Sequence, residues 1–204
     1  MGTLCDNTPK PLLKIKGRPM LHWILERMRA AGVECCHLAV RYHAAKIIDR
    51  FGKEFDGMPL NYLVENDALG TAGALALLPA PAPVLVSNGD LFTDTAFSEI
   101  AQHHEQQQAD ATICAAHTRL PYGVIGWPSS TDVIAERPTV QTNAGMYCLS
   151  QNVVRGAMMS SAHKQNMPDL INRVAGFGGR VAVYPVTGAW SDVAAPADLE
   201  RINA

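Results

Sequence analysis

The alternation of short apolar runs with helical patterns constrains the fold more than any other feature of this sequence. Residues 36–40, 60–64, 84–87 and 111–116 form apolar runs that are typical of buried strands. Amphipathic segments, such as residues 19–32 and 95–107, lie between them. Strands that alternate with helices favour a parallel sheet that helices cover on both faces. The sequence therefore predicts an α/β fold.

Further elements follow from the same periodicities. Residues 43–55 carry Ile47, Ile48 and Phe51 on one helical face, and residues 71–78 read as a short helix ended by a proline. After Thr118 the pattern changes to short extended pieces. We expect these pieces around Val124, Val133 and residues 144–149, followed by helices at 151–160, 168–177 and 196–202 and a strand at 181–186. With no linker between these parts, we expect one domain over residues 1–204 with an inserted, more irregular half.

Composition and charge exclude several classes of protein. Apolar residues make up 48% of the 204 residues and charged residues 18%, which disfavours disorder. The formal charge of −2 gives no sign of the basic excess that duplex binding requires, and no apolar run approaches the roughly 20 residues of a membrane span. The beginning lacks a secretory pattern, and the five cysteines show no CxxC spacing. We expect reduced thiols, a cytoplasmic location, and neither nucleic acid nor membrane as partner.

Two predicted strands lead into segments that carry carboxylates. In open α/β sheets, ligands bind at the carboxyl ends of the strands. Asn88, Gly89 and Asp90 directly follow the strand at 84–87, and an oxygen ligand held there suits Mg²⁺. Trp190 and Asp192 follow the strand at 181–186 and offer an aromatic face for a sugar and a second carboxylate. A turn or helix-cap aspartate is the alternative for Asp90, and the separation along the chain does not decide whether the carboxylates share an ion.

Two other segments have groups suited to phosphate. Leu69, Gly70 and Thr71 begin a Gly-rich loop that opens a helix, where free N–H groups favour anions, although a plain tight turn is the alternative. Lys10, between two prolines, could serve a phosphate as a point charge or lie on the surface as an ordinary lysine.

Eight segments in order resemble the sugar-1-phosphate nucleotidylyltransferases, of the mannose-1-phosphate guanylyltransferase-like kind. The resemblance runs from about Asp6 to Asn203. The segments are DNTPKPLLKIKGRPMLHWILERM (6–28), LGTAGALALL (69–78), VLVSNGD (84–90), PYGVI (121–125), ERP (136–138), NAGMY (143–147), NMPDLI (166–171) and WSD (190–192).

This resemblance implies a Rossmann-like, mostly parallel mixed sheet flanked by helices, and transfer of a nucleotidyl group from a nucleoside triphosphate to a sugar 1-phosphate with Mg²⁺. It places Asp90 and Asp192 at the metal and Lys10 on phosphate, as the catalytic set. Leu69, Gly70 and Thr71 fall at the base and ribose, and Arg137 stands where the family usually has a lysine for the sugar phosphate. The other implied substrate contacts are Gly123, Glu136, Asn143 and Trp190 around the sugar, with Glu65, Asn88 and Gly89 as further substrate-binding residues.

The sequence departs from the family pattern at its beginning. The family has a buried strand and a phosphate loop, roughly LAAGxGTR, before the PKP segment, and this sequence does not contain them. Because that strand lies centrally, we expect two neighbouring strands to lack a ladder partner and residues 1–204 alone to be poorly active. Either the natural protein begins further upstream, or the chain is a degenerate homologue.

Two other functions remain open from the residues. One is a non-catalytic or regulatory homologue that binds sugar phosphate or nucleotide-sugar without turnover. The other is a nucleotide-sugar glycosyltransferase, which the absence of a DxD motif and the intact PKP and LGTAG segments disfavour. These residues do not determine the base or the sugar, although the DNTPKP and LGTAGAL segments favour guanylyl or uridylyl transfer. Apolar strand edges make a homo-oligomer a further expectation.

Overall fold

The computed structural model describes residue 5 and residues 7–120, 139–160 and 164–203. Its strands are β1 (Lys14–Ile15), β2 (Arg18–Pro19), β3 (Cys36–Val40), β4 (Glu54–Phe55), β5 (Met58–Val64), β6 (Val84–Ser87), β7 (Leu91–Thr93), β8 (Ala111–Arg119), β9 (Thr139–Leu149), β10 (Val181–Pro185) and β11 (Trp190–Asp192). Its helices are α1 (Met20–Ala30), α2 (Ala44–Phe51), α3 (Phe97–Gln106), α4 (Gln151–Met158), α5 (Met167–Gly176) and α6 (Pro196–Asn203), with 3₁₀ helices at Lys10–Leu12 and Gly73–Leu77.

The larger sheet has the strand order β10-β8-β9-β6 and is mixed. β8 and β10 run parallel, whereas β9 runs antiparallel to β8 and to β6. A second sheet has the order β3-β5-β4, in which β3 and β5 are parallel. Within the described residues β10 and β6 are the edge strands of the larger sheet, and β3 and β4 are those of the second sheet. The predicted α/β fold with a mixed sheet and flanking helices is confirmed.

The predicted helix over residues 43–55 was wrong over its last four residues. The helix α2 ends at Phe51 because Gly52 adopts a φ of +66°. The chain then forms β4, and Asp56 and Gly57, with φ values of +47° and +82°, reverse it into β5. Helical spacing of apolar residues described the buried face correctly but carried no information on this left-handed turn.

Two other elements differ from the sequence prediction. Residues 71–78 contain a 3₁₀ helix of five residues, Gly73–Leu77, in place of the predicted short helix. The extended piece at 144–149 is the end of the 11-residue strand β9, which begins at Thr139. Val124 and Val133 lie outside the described residues. The length of β9 comes from its pairing with β8, which no local pattern shows.

The core consists of two main apolar clusters on opposite faces of β9. Met146 and Cys148 belong to a cluster that also contains Leu38 and Val40 of β3, so this cluster joins the two sheets. Tyr147 and Leu149 belong to the other cluster, beneath α4 and α5. The alternation follows from the two-residue period of a strand. Each such large apolar side chain contributes roughly 1.5–3 kcal/mol on full burial, so β9 stabilises both faces.

The five cysteines are all unpaired. Cys114 and Cys148 are buried in β8 and β9, and burial raises their thiol pKa values to about 12 and about 11. At neutral pH these two thiols are therefore protonated and behave as small apolar side chains.

No helix within the described ranges has the length and apolar character needed to cross a membrane.

His104 gives the fold a predictable sensitivity to acid. This side chain, 8% exposed, forms a hydrogen bond of 2.9 Å between its Nδ1 and Thr112 Oγ1. Burial lowers its pKa below the ordinary value of 6.5. The charges of Asp110 and Glu105 raise the pKa in part, and His103 lowers it by a smaller amount. The unfolded chain binds this proton more readily, so stability is lost as the pH falls from 6.5 toward the folded pKa.

We expect urea unfolding at about pH 5 and about pH 8 to show a smaller pH dependence in His104→Gln than in the wild type, by at most about 1.4 kcal/mol per pH unit. His117→Gln, at an exposed position of β8, is the control and should keep the wild-type dependence. Equal pH dependence in all three proteins would contradict the assignment to His104.

Candidate active site

Lys10 lies between the two carboxylates that the sequence analysis selected. Its Nζ donates a hydrogen bond of 2.6 Å to Asp90 Oδ2 and lies 4.0 Å from Asp192 Oδ1. The side chains of the three residues are 25%, 33% and 53% exposed, so the cluster is open to solvent on one side. The three residues expected to form the catalytic set are therefore together in space, although 182 positions separate the first from the last (192 − 10).

The pairing of β7 with β11 brings the carboxylates together. Asp192 pairs with Leu91 in an antiparallel register, and Asp90 directly precedes Leu91. Val193 N–H continues the contact by donating a 3.2 Å hydrogen bond to the carbonyl oxygen of Asp90. The two aspartates thus meet because of a strand pair that forms between distant parts of the chain.

The electrostatics of the pair differ from those of isolated carboxylates. The pKa of Asp192 is raised, first by its partial burial and then by the negative charge of Asp90. Lys10 opposes this shift, whereas Asp198 adds to it. Two carboxylates this close stabilise a cation between them, since each destabilises the ionised form of the other.

The carboxylate oxygens of Asp90 and Asp192 suit hard cations such as Mg²⁺ or Mn²⁺ better than zinc or copper. Within the described ranges, no group of three or more His, Cys, Asp or Glu side chains is placed to hold an ion. Mg²⁺ is commonly bound by one or two carboxylates and completes its octahedron with water and substrate phosphates. Because both aspartates approach one point, the Lys10 Nζ, a single ion could contact both.

Backbone and side-chain hydrogen bonds hold the segment that leads to Asp90 in place. Asn88 N–H donates a 2.8 Å hydrogen bond to the carbonyl of Gly145, which has a φ of +70°. A Cβ at that glycine would lie 2.6 Å from Asn88 Nδ2. Asn143 accepts a 3.0 Å hydrogen bond from Gly145 N–H, and Trp190 Nε1 donates to the carbonyl of Ala144 at 2.9 Å. Residues 143–145 of β9, where its register with β8 is irregular, therefore join Asn88, Asn143 and Trp190.

The loop at residues 69–71 is fixed to the start of α5. Gln165 N–H donates to the Leu69 carbonyl at 2.8 Å, and Met167 N–H donates to Thr71 Oγ1 at 2.8 Å. Gly70 has a φ of +83°, and a Cβ there would lie 2.4 Å from the carbonyl oxygen of Gln165. Glu65 reaches the same loop through a 3.5 Å contact with Leu69 N–H. The loop is held in one conformation by a segment almost one hundred residues away.

Gln165 was not among the residues selected from the sequence. It is 5% exposed, and its Nε2 is a buried donor that has no hydrogen-bond partner among the described residues. A single glutamine without a motif gave no signal, since only the fold places it against the Gly-rich loop.

Gly89 follows Asn88 and faces Pro11, whose Cγ would be 3.8 Å from an added Cβ. Gly123, Glu136 and Arg137 lie outside the described residues.

An open cavity of about 360 Å³ adjoins Trp190 and not the carboxylate pair. Its lining also includes His117 of β8 and Thr187 and Gly188 of the segment after β10. A smaller cavity of about 210 Å³ shares Thr187 and Gly188. The carboxylates are instead partly exposed to solvent, with 33% of the Asp90 side chain and 53% of the Asp192 side chain accessible.

Fold and site together define an α/β protein with a lysine and two carboxylates gathered where strand β6 ends. The model of the Nucleotidyl transferase family matches residues 3–204. The chain belongs to this family, which confirms the resemblance found in the sequence. A mannose-1-phosphate guanyltransferase of Yarrowia lipolytica is 33% identical over 94% of this chain and 56% of that relative. One of Candida albicans is 32% identical over 94% and 57%.

The chain spans a little over half the length of these curated relatives. Among solved structures, HddC from Yersinia pseudotuberculosis complexed with GMP-PN matches at a TM-score of 0.75 and 21% identity, over 100% of this chain and 92% of that one. A protein of Bacillus anthracis in complex with sucrose matches at a TM-score of 0.80 and 19% identity, over 100% and 88%. At these identities the two structures show a shared fold.

Proposed function

We propose that this protein transfers a nucleotidyl group from a nucleoside triphosphate to a sugar 1-phosphate and releases pyrophosphate. The observation that carries the proposal is the position of Lys10 Nζ, 2.6 Å from Asp90 and 4.0 Å from Asp192. A lysine and a carboxylate pair at one point are the groups needed to bind phosphates and a divalent cation together. Membership of the Nucleotidyl transferase family supports the same reaction.

In this proposal Asp90 and Asp192 would hold Mg²⁺, and Lys10 would bind a phosphate oxygen. Bound there, the ion would neutralise negative charge on the phosphates. Leu69, Gly70 and Thr71 would contact base and ribose, and Glu65 would steady that loop through its contact with Leu69. The residues proposed for the remaining substrate contacts are Asn88, Gly89, Gly123, Glu136, Arg137, Asn143 and Trp190.

The reaction depends mainly on the positioning of the two substrates. An oxygen of the sugar phosphate attacks the α-phosphorus in line, a new P–O bond forms, and the bond to the β-phosphate oxygen breaks. Pyrophosphate leaves with the bonding electron pair. Because one substrate attacks the other directly, no side chain has to be modified covalently. Lys10 would hold the phosphates in place, and the fixed loop at residues 69–71 would orient the nucleoside. Bringing two substrates into line removes much of the entropic part of the barrier.

The similar proteins suggest which substrates to try first. The yeast relatives named above are mannose-1-phosphate guanyltransferases. We therefore propose GTP and mannose 1-phosphate as the first pair to test, followed by the other common nucleoside triphosphates with hexose and heptose 1-phosphates.

The test is release of pyrophosphate by the purified chain in the presence of Mg²⁺. We expect release only when a nucleoside triphosphate and a sugar 1-phosphate are both present, with a nucleotide-sugar formed in equal amount. Release without any sugar phosphate would indicate a hydrolase and contradict the proposal. Binding of nucleotide-sugar, measured by calorimetry, without turnover on any pair would instead favour the non-catalytic alternative.

A further inference from the structure

The ammonium of Lys10 lies where a bound cation would lie. Its Nζ is within hydrogen-bond distance of Asp90 and at ion-pair distance from Asp192. Without it, two carboxylates would face each other across a small gap, and each would disfavour the charge of the other. The lysine therefore stabilises the pair in the absence of any ion.

We propose that Lys10 is an internal counter-ion that holds the carboxylate pair together and is displaced from it when a divalent cation binds. The inference rests on the proposed function, because it takes Asp90 and Asp192 as the metal ligands. Mg²⁺ binds oxygen at about 2.1 Å, and an ammonium hydrogen-bonded to the same carboxylate would lie within a few ångströms of the ion. Two cations at that separation repel strongly, so they compete for the carboxylate oxygens.

The backbone around Lys10 limits the displacement to its side chain. Lys10 begins a 3₁₀ helix between Pro9 and Pro11, and its carbonyl accepts a hydrogen bond of 3.1 Å from Leu13 N–H. Leu12 N–H donates a hydrogen bond of 2.8 Å to the Pro9 carbonyl. The flexible four-carbon stem can rotate on this fixed support and carry the ammonium a short distance from the carboxylates.

The displacement couples the cation to the phosphates. Once released from Asp90, the ammonium has three N–H donors available for phosphate oxygens at the same edge of the molecule. The cation then raises the affinity for phosphate by freeing Lys10, and phosphate raises the affinity for the cation by the same factor. Before metal binds, Lys10 is occupied by Asp90 and contributes little to phosphate binding.

The test is Mn²⁺ binding in the absence of nucleotide, followed by electron paramagnetic resonance. Mn²⁺ prefers the same oxygen ligands as Mg²⁺ and gives a direct signal for the free ion. We expect Lys10→Met to bind Mn²⁺ about tenfold more tightly than the wild type, because no charge-assisted hydrogen bond has to be broken. Lys10→Arg keeps a cation and should bind nearly as the wild type does. Lys53→Met, at an exposed position between α2 and β4, removes the same charge away from the site and should also match it.

Thermal unfolding provides a second readout. In a chelator, Lys10→Met should melt below the wild type, and Mn²⁺ should raise its melting temperature by more than it raises that of the wild type. Mn²⁺ affinity in Lys10→Met equal to or below that of the wild type would overturn the role of Lys10 while leaving the metal site in place. Absence of Mn²⁺ binding in every variant would overturn the carboxylate pair as the metal site, and with it the support for the proposed function.

Discussion

Asp90→Asn is expected to reduce Mg²⁺-dependent pyrophosphate release by about a hundredfold or more. The substitution keeps the shape of the side chain and removes one of the two charges proposed to hold the ion. It also removes the ion pair with Lys10, which is partly exposed and so contributes about 1 kcal/mol or less to stability. The variant should therefore fold and melt nearly as the wild type does while losing both turnover and Mn²⁺ binding.

Asp49→Asn is the matched control for this prediction. Asp49 is exposed on α2, and its substitution changes the net charge of the chain by the same amount. It should retain the wild-type rate and Mn²⁺ affinity. If Asp90→Asn released pyrophosphate within about threefold of the wild type, Asp90 would have no part in stabilising the transition state. If Asp90→Asn bound Mn²⁺ normally and yet lost turnover, Asp90 would not be a metal ligand, and its role would be limited to its ion pair with Lys10.

The parts of the fold that depend on local patterns were predictable. The strand at residues 36–40 and the helix α3 followed from apolar periodicity, because each buries one face against the core. The early end of α2 was not predictable, since it depends on the positive φ of Gly52 and the turn after it. The full length of β9 was not predictable either, because its first half is stabilised by pairing with β8.

The members of the site could be selected from the sequence more easily than their arrangement. Lys10, Asp90 and Asp192 each stood out as a charged group beside a predicted element, and their distance along the chain gave no indication of proximity. The antiparallel pairing of β7 with β11 brings the two aspartates together, and neither three-residue strand was predicted. Gln165 was missed for the same reason, because its place beside Gly70 results from tertiary contacts.

Gly70→Ala is the second substitution with a large expected effect, and it tests how the Gly-rich loop is built. Gly70 has a φ of +83°, which costs an alanine about 1–2 kcal/mol. In addition, an added Cβ would lie 2.4 Å from the Gln165 carbonyl oxygen and 2.8 Å from Asn166 Oδ1, and the first of these is backbone that cannot rotate away. We expect a loss of about 3 kcal/mol or more in the free energy of unfolding, measured with urea.

Gly178→Ala separates the cost of the positive φ from the cost of the close contact. Gly178 and Gly70 share one strained backbone conformation, but they differ in their surroundings. Gly178 has a φ of +79°, and no other part of the described chain lies within 4 Å of the position of its missing Cβ. Its substitution should therefore cost only the conformational part, about 1–2 kcal/mol. The excess in Gly70→Ala measures the contact with the segment at residues 165–166, and nucleotide affinity should fall in that variant alone. Equal losses in both variants would mean that the loop moves freely away from α5, so that its fixed position could not orient a nucleoside.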